Sequence, residues 1–254
     1  MPLTSKLYNK HVLIFGGTKG IGRGVAVKAI QDGAKVTVVG SSQATTDEAT
    51  KEIKSTYPSA QISGVGFDLR QDKLEEALEA LFQNIGQVHH VVITASNSLP
   101  GHVSIQKYTL ADLQPLHERL QVMVLLAKVA SRHLPLSRYS SLTFTSGSIA
   151  DQPQPACSVL AFLAQGMVGF IRGLALDMKP VRVNVVEPGY VLDTGLWAVV
   201  PVDHVKSLRE SLASKNPTGS EGLVEDVAEA YLYLMKDGNC TGETIKSRSG
   251  QHLV

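Results

Sequence analysis

The glycines that follow the first apolar run of the chain carry its clearest chemical signal. Residues 15–22 read FGGTKGIG and lead into a helical pattern. Gly16, Gly20 and Gly22 would let the backbone approach a pyrophosphate, and the helix start would offer free N–H groups and partial positive charge. The position directly after a strand makes the pattern more specific than glycine-rich turns in general. It predicts a dinucleotide site, with a plain tight turn as the alternative.

The end of the second apolar run favours NADP over NAD. An NAD site usually has Asp or Glu there, which binds the ribose 2′-hydroxyl, whereas residues 36–42 read VTVVGSS. No acidic residue is present there to repel a 2′-phosphate, and Ser41 and Ser42 can donate hydrogen bonds to it. Lys19, in the glycine turn, can add a positive charge. Alternatively, the serines only cap the next helix. Asp68, after the third run, is either an adenine contact or a turn residue.

Short β-type runs alternate with helical patterns along the chain. Between residues 74 and 82, for example, apolar side chains repeat at helical spacing and form one stripe. The alternation predicts an α/β fold: one Rossmann-type domain over residues 1–254, with a doubly wound parallel sheet of seven strands and helices on both faces. The expected strands are 12–15, 36–39, 62–67, 88–94, 141–145, 181–186 and 241–246.

The stretch 189–220, after the sixth expected strand, is the one long segment that we expect to be irregular. A long segment in that position is often a substrate lid. Tyr190 and Trp197 within it would form an aromatic wall beside a substrate, or would pack the lid on itself.

These motifs resemble the short-chain dehydrogenase/reductase family over nearly the whole chain. GGTKGIG is similar to the family's glycine motif, VRVNVVEPG to the segment before its Pro-Gly turn, and GFIRGLALDM to the second half of its active-site helix. EDVAEAYLYLM and CTGETI are similar to its last helix and strand. The resemblance implies NADP(H) binding by Gly16, Thr18, Lys19, Gly20, Ile21, Gly22, Ser41, Ser42, Asp68, Leu69, Ala95, Ser96, Pro188, Gly189, Val191 and Thr194.

The resemblance breaks at the family's catalytic residues, which are Asn, Ser, Tyr and Lys. The Tyr place holds Leu160 and the Lys place holds Ala164. Gln121 is expected at the Asn place. Ser146 occupies the Ser place, either as a substrate contact or as a turn residue. Of the four residues, therefore, only the serine is retained.

Loss of the Tyr and Lys restricts the chemistry that the site can perform. In the family, the Tyr gives a proton to a carbonyl oxygen as hydride reaches the carbon, and a positioned general acid contributes about 10²–10⁴ in rate. We therefore expect simple ketones and alcohols to react slowly. An iminium carbon is already cationic and needs no proton, and a Lys would repel it. A pocket formed by Ser148, Leu160, Ala164, Tyr190 and Trp197 would suit a bulky apolar substrate.

The sequence therefore predicts an NADPH-dependent reductase of non-standard mechanism, which transfers hydride to an activated apolar acceptor such as an iminium in natural-product biosynthesis. One alternative is a cyclase that steers a cycloaddition with NADP as a structural element, similar to some fungal alkaloid reductases of the family. Another is a non-catalytic NADPH-binding partner. Asp151, His102 and Asp193 are candidate acids by loop position only, with surface residues as the plainer interpretation.

Composition sets the remaining expectations. The chain of 254 residues has a net charge of +1 and two cysteines, which predicts a cytoplasmic protein without nucleic-acid or membrane partners and without a metal site. The apolar stretch 159–171 contains Gln165 and is shorter than a membrane span. In the family that the chain resembles, the two long helices, here about 109–134 and 157–178, commonly pair across a two-fold axis. The second is apolar on several sides, so one side can face the sheet and another needs a partner, which implies a homodimer or homotetramer.

Overall fold

The computed structural model describes residues 5–95 and 103–254. Within these residues, seven parallel strands form one sheet in the order β3-β2-β1-β4-β5-β6-β7. The strands are β1 His11–Phe15, β2 Lys35–Gly40, β3 Ile62–Gly66, β4 His90–Ile93, β5 Ser141–Thr145, β6 Arg182–Pro188 and β7 Thr244–Ser247. The fold class expected from the sequence is confirmed.

Helices cover both faces of this sheet. Side chains of α1, α2 and α7 pack in one core cluster, and side chains of α3, α4 and α5 pack in the other. The helices are α1 Gly20–Gln31, α2 Gln43–Thr56, α3 Leu74–Ile85, α4 Leu110–His133, α5 Ser158–Asp177, α6 Val202–Lys215 and α7 Val224–Lys236. Short 3₁₀ turns lie at Ile105–Lys107, Ser148–Ala150, Gly195–Trp197 and Gln251–Leu253.

The first strand shows why its sequence is apolar throughout. All its residues are buried, because helices cover both faces of the sheet. Leu13 and Phe15 point into the cluster that contains α3, α4 and α5. Val12 and Ile14 point into the cluster with α1 and α7, as the alternation of side chains along a strand requires.

The strand order reverses between β1 and β4. From β1 the chain builds outward through β2 and β3, and then returns to β4 on the other side of β1. Such a reversal opens a crevice at the carboxyl ends of the two central strands, where open α/β sheets bind their ligands. The glycine turn after β1 and residues 94–95 after β4 both lie at this edge.

The expectation that residues 189–220 are irregular is wrong. The segment contains the 3₁₀ turn Gly195–Trp197 and all of α6. Leu212 is the residue of α6 that is buried, whereas Val202 is 82% exposed. This helix has one weakly apolar side, so its sequence lacks the strong stripe that identifies α3.

By length and composition alone, α5 is the one helix among the described residues that would be able to cross a membrane. It nevertheless contributes Met167 and Ile171 to the core beneath α4, next to Val183 and Val185 of β6. Core helices of ordinary domains pass the same length and composition test.

Candidate cofactor and active site

The glycine turn lies against the first residues after β4. Gly16 has a φ of +87°, a conformation that residues with a Cβ rarely adopt. A Cβ on Gly16 would lie 2.6 Å from the backbone N of Ala95, and a Cβ on Gly22 would overlap the carbonyl oxygen of Gly16. The Thr94 hydroxyl donates to the carbonyls of Phe15 and Gly16, at 3.1 and 3.3 Å. Side chains are therefore excluded where the backbone would approach a phosphate.

The glycine turn also faces the start of the 189–220 segment. A Cβ on Gly20 would lie 3.2 Å from the Cβ of Thr194, and a Cβ on Gly195 would lie 2.9 Å from the Cε of Lys19. The first turn of α1 contains no acidic residue, so nothing there opposes an anion at the helix N-terminus. The structure thus brings the predicted residues from these two segments together.

The carboxyl end of β2 places the predicted serines beside the glycine turn. A Cβ on Gly40 would lie 2.7 Å from the Cγ2 of Thr18, so Thr18 packs over the strand end. Ser41 is exposed. Ser42 is the N-cap of α2, and its hydroxyl accepts a bond from the N–H of Thr45 at 3.3 Å. The capping role considered from the sequence is present at Ser42, and the hydroxyl proton can still be donated to a ligand.

Asp68 is engaged within its own turn. Its carboxylate accepts hydrogen bonds from the backbone N–H and the guanidinium of Arg70, all at 3.0 to 3.1 Å. These bonds lower the pKa of Asp68. The turn interpretation is therefore realised, and an adenine contact stays a prediction. Of the other predicted cofactor residues, Ile21 is half-buried in the first turn of α1, and Ser96 lies outside the described residues, as does the candidate acid His102.

A small cavity lies at the carboxyl ends of β4 and β5. Its lining is apolar except for Arg119 and Thr145, and it includes Ala95, which touches the glycine turn. Leu69, predicted as a cofactor contact, belongs to this lining and packs against the core. The full lining is Leu69, Ile93, Ala95, Arg119, Val122, Met123, Phe144, Thr145 and Met167.

Arg119 is a cavity-lining residue that the sequence reasoning missed. Gln121, which is expected at the Asn place, is exposed on α4, so the structure does not bring its side chain to the cavity. Arg119 instead faces the cavity with Val122 and Met123. Burial lowers the pKa of its guanidinium, which still remains charged at any physiological pH. The helical spacing of 119, 122, 123 and 126 from the buried residues of α4 was the available signal.

Ser146 links the end of β5 to α5. Its hydroxyl donates to the carbonyl of Ala164 at 3.1 Å, and its N–H donates to the carbonyl of Val186 at 2.9 Å. Ala164 is buried and Leu160 is half-buried. Ser148 begins the 3₁₀ turn after β5. The structural interpretation of Ser146 is realised in these bonds, and its contact with a substrate stays a prediction.

The Pro188–Gly189 turn and the aromatic pair after it complete the site. Tyr190 and Trp197 lie with ring centroids 5.7 Å apart at an angle of 45°. Val191 is buried, and its carbonyl accepts a bond from the Thr194 hydroxyl at 3.1 Å. The two aromatic residues therefore form one surface, as both the wall and the lid-packing interpretations require.

The two loop acids are held as ion pairs. Asp193 pairs with Arg209 at 2.8 Å. Asp151 pairs with Arg248 at 2.5 Å and also with Lys246. Burial opposes ionisation of Asp151, but the hydrogen bonds from both cations outweigh it and lower its pKa. Both carboxylates are thus engaged by cations rather than turned to a substrate.

Comparison with known proteins agrees with this geometry. A family profile described as an SDR-like Rossmann domain matches residues 3–254. Short-chain dehydrogenase/reductase ATR9 of Stachybotrys chlorohalonatus is 37% identical over 95% of this chain and 96% of its own. The structure of the MalC reductase/Diels-Alderase of Malbranchea aurantiaca is 36% identical and covers 98% of both chains, with a TM-score of 0.88. A short-chain dehydrogenase solved with NADPH has the same fold, with a TM-score of 0.78 at 22% identity. The chain therefore belongs to the short-chain dehydrogenase/reductase family.

Proposed function

We propose that this protein is an NADPH-dependent reductase of secondary metabolism that transfers hydride to a bulky, apolar, activated acceptor. The observation that carries the proposal is the glycine turn at the crevice, together with the apolar residues Leu160 and Ala164 at the expected Tyr and Lys places. A small cavity beside the turn is also mostly apolar. The similarity to MalC, whose structure is called a reductase/Diels-Alderase, supports the same class of chemistry.

The residues present fit a dinucleotide phosphate. Gly16 and Gly22 leave no space for a Cβ, and the start of α1 carries no acid. Ser41, Ser42 and Lys19 would hold the 2′-phosphate and the pyrophosphate. Bound NADPH supplies hydride to the substrate. The part of this chain is to hold the acceptor near Ala95 and to keep water out of the apolar cavity.

Loss of the proton relay supports an iminium acceptor. Hydride addition to an iminium carbon yields a neutral amine, so the atoms and charges balance without an acid. If Leu160 and Ala164 occupy the Tyr and Lys places, as the sequence predicts, they put apolar groups there instead of a hydroxyl and an ammonium. The ion-paired Asp151 and Asp193 do not replace the missing donor.

Arg119 favours a second acceptor class. Arg119 lines the cavity, so its positive charge would disfavour a cationic iminium but would polarise an acceptor oxygen. Stabilising a developing oxyanion with a fixed cation is often a large catalytic contribution. In this alternative, hydride adds to a carbonyl or conjugated carbonyl, and the resulting oxyanion takes its proton from water.

The substitution Arg119→Gln separates the two acceptor classes. With an aryl iminium salt, removal of the Arg119 charge should raise kcat/KM by about tenfold. The reason is that the repulsion between Arg119 and the iminium is lost, and a tenfold change corresponds to about 1.4 kcal/mol. With the aryl ketone of the same ring size, the same removal should lower kcat/KM by about 10²-fold. Stopped-flow measurement of NADPH oxidation follows the reaction with either acceptor. The control is Arg172→Gln, because Arg172 is an exposed arginine of α5.

Other outcomes identify other functions. Substrate cyclisation that proceeds equally with NADP⁺ and NADPH would favour a cyclase in which the cofactor is structural. Tight NADPH binding without hydride transfer to either acceptor, and without cyclisation, would favour a non-catalytic binding partner. Equal responses of both acceptors to Arg119→Gln would contradict the role assigned to that residue.

A further inference from the structure

Three strands carry charged residues to one corner of the crevice. Glu187 lies near the carboxyl end of β6, Arg248 follows β7, and Asp151 follows the 3₁₀ turn after β5. Because β5, β6 and β7 are parallel neighbours, their carboxyl ends meet at the same edge. There the Arg248 guanidinium bonds to Asp151 at 2.5 Å and to Glu187 through its other terminal nitrogen. Lys246 bonds to the second oxygen of Asp151.

The centre of this cluster is closed to water. Glu187 is 1% exposed and Arg248 is 4% exposed, whereas the Asp151 side chain is 37% exposed. Burial raises the pKa of Glu187, and the charge of Arg248 opposes that rise. A buried carboxylate of this kind is strongly destabilising when its cationic partner is removed. The guanidinium therefore has to remain between the two carboxylates.

The planar guanidinium of Arg248 fixes the separation of its two partners as well as neutralising their charge. Its terminal nitrogens point in directions that side-chain rotation cannot vary independently. One of them bonds to the loop after β5 and the other to the end of β6. Arg248 therefore determines how far these two segments stand from each other.

The same segment of chain makes further bonds to both loops. The side-chain oxygen of Gln251 accepts a bond from the N–H of Tyr190 at 3.2 Å. Its side-chain nitrogen donates to Gln152 at 3.3 Å. A Cβ on Gly189 would also lie 3.1 Å from the Cα of Arg248. Residues 246–251 thus lie directly between the loop of Ser148 and the turn that begins at Pro188.

We propose that Arg248 is a positioning residue, which fixes the loop carrying Ser146 and Ser148 against the Pro188–Gly189 turn. This role in turnover rests on the proposed function, in which the loop borders the substrate and the turn borders the cofactor. A displacement of about 1 Å between reacting groups lowers a rate by about 10²-fold. Weakening the link between this loop and the Pro188–Gly189 turn should therefore reduce turnover while the glycine turn still binds NADPH.

Hydrogen exchange tests the positioning without needing a substrate. Asp151→Asn replaces the carboxylate that Arg248 and Lys246 share with a neutral amide, which weakens the link from Arg248 to the loop. Arg248 stays paired with Glu187, so the variant should fold. Amides in residues 146–152 and 188–191 should exchange about tenfold faster than in the wild-type protein, with α1 and α7 unchanged. The control is Lys246→Met, which removes only the exposed partner of the same carboxylate and should leave both segments as in the wild type.

Kinetics test the consequence for the reaction. With whichever acceptor the wild-type enzyme reduces, Asp151→Asn should lower kcat by about tenfold or more, with the NADPH dissociation constant within about threefold. Arg248→Lys keeps a cation beside Glu187 but should also lower kcat, since an ammonium lacks the planar fork.

The outcomes of the two measurements are distinguishable. Uniform acceleration of exchange over the sheet in Asp151→Asn, or equal effects of Lys246→Met, would assign the cluster to stability alone and overturn the proposal. Unchanged exchange in both segments would do the same. If no acceptor is reduced by the wild-type enzyme, the proposed function fails, while the exchange result still decides whether Arg248 holds the two segments together.

Discussion

Ser42 shows how one side chain serves a helix and a candidate ligand at the same time. Its hydroxyl caps α2 by accepting the N–H of Thr45, and it follows the end of β2, where the ribose of a dinucleotide is expected. Ser, Asp and Asn are all good N-cap residues. The charge at this position can therefore be changed without removing the cap.

The substitution Ser42→Asp should reverse the cofactor preference. The wild-type protein is expected to bind NADPH at least about tenfold more tightly than NADH, or about 1.4 kcal/mol. A carboxylate at 42 would repel the 2′-phosphate and accept the ribose hydroxyls of NADH. Calorimetric titration of both cofactors measures the change, and Ser42→Asn keeps the cap without the charge. Equal affinities of the wild-type protein for the two cofactors would show that the NADP assignment is wrong.

Arg119, unlike Ser42, was not expected from the sequence. Nothing in the chemistry of an isolated arginine predicts that it lines an apolar cavity. The structure places it beside Val122, Met123 and Met167 in the cavity lining, whereas Gln121 two residues later is exposed; the proposed influence of Arg119 on the acceptor rests on this placement.

At the scale of the elements, the two ends of the parallel strands carry different residues. The glycine turn and the cavity lie at the carboxyl ends, whereas buried histidines lie at the amino ends. His90 begins β4, is 2% exposed, and bonds through Nδ1 to the Ser141 hydroxyl at 2.9 Å. Burial, helped by the nearby charge of Arg182, lowers the pKa of His90 to about 3.

This histidine should make the protein sensitive to acid. The folded state keeps His90 neutral, while the unfolded chain takes up a proton near the ordinary histidine pKa of about 6.5. The contribution of His90 to stability is therefore complete above pH of about 6.5 and is lost as the pH falls toward 3. His90→Gln, which retains a side-chain hydrogen bond but cannot titrate, should flatten the decline.

Denaturant unfolding between pH 7 and about 4 measures this dependence. The exposed His204 is the matched control, and His204→Gln should leave the decline unchanged. An equally steep loss of stability in His90→Gln would mean that other groups dominate the acid response.

At the scale of the whole molecule, α4 and α5 carry large apolar side chains that the described residues leave exposed. Phe162 is 77% exposed and Leu176 is 73% exposed on α5, and Leu120 and Val124 of α4 are 48% and 41% exposed. A Cβ on Gly166, Gly169 or Gly173 would meet nothing within 4 Å. Exposed apolar patches are a frequent mark of a protein interface.

We expect this surface to associate with a second copy, giving a homodimer or homotetramer with two-fold symmetry. Light scattering at micromolar concentration should give a mass of two or four chains. Phe162→Arg should shift the mass toward the monomer, because it would bury a charge in the interface. Tyr8→Arg, at an exposed aromatic residue remote from α5, is the control. A wild-type mass of 27.2 kDa would contradict the expectation.

The local patterns of the chain were sufficient for the fold class and for the centre of the cofactor site. Seven apolar runs separated by helical patterns predict a parallel sheet, because both properties depend on neighbouring residues. The glycine pattern works for the same reason: Gly16, Gly20 and Gly22 are close in the chain, and the strand before them and the helix after them determine their placement.

Only the tertiary structure decided the features that depend on distant residues. The identity of the cavity-lining side chain of α4, the bond from Ser146 to Ala164, and the link from Arg248 to Asp151 join segments far apart in the chain. Secondary-structure periodicity shows that a helix has a buried side, but which residues meet there depends on how the helix is rotated against the sheet. That rotation is set by packing in the whole core, and for this reason Arg119, rather than Gln121, stands at the candidate active site.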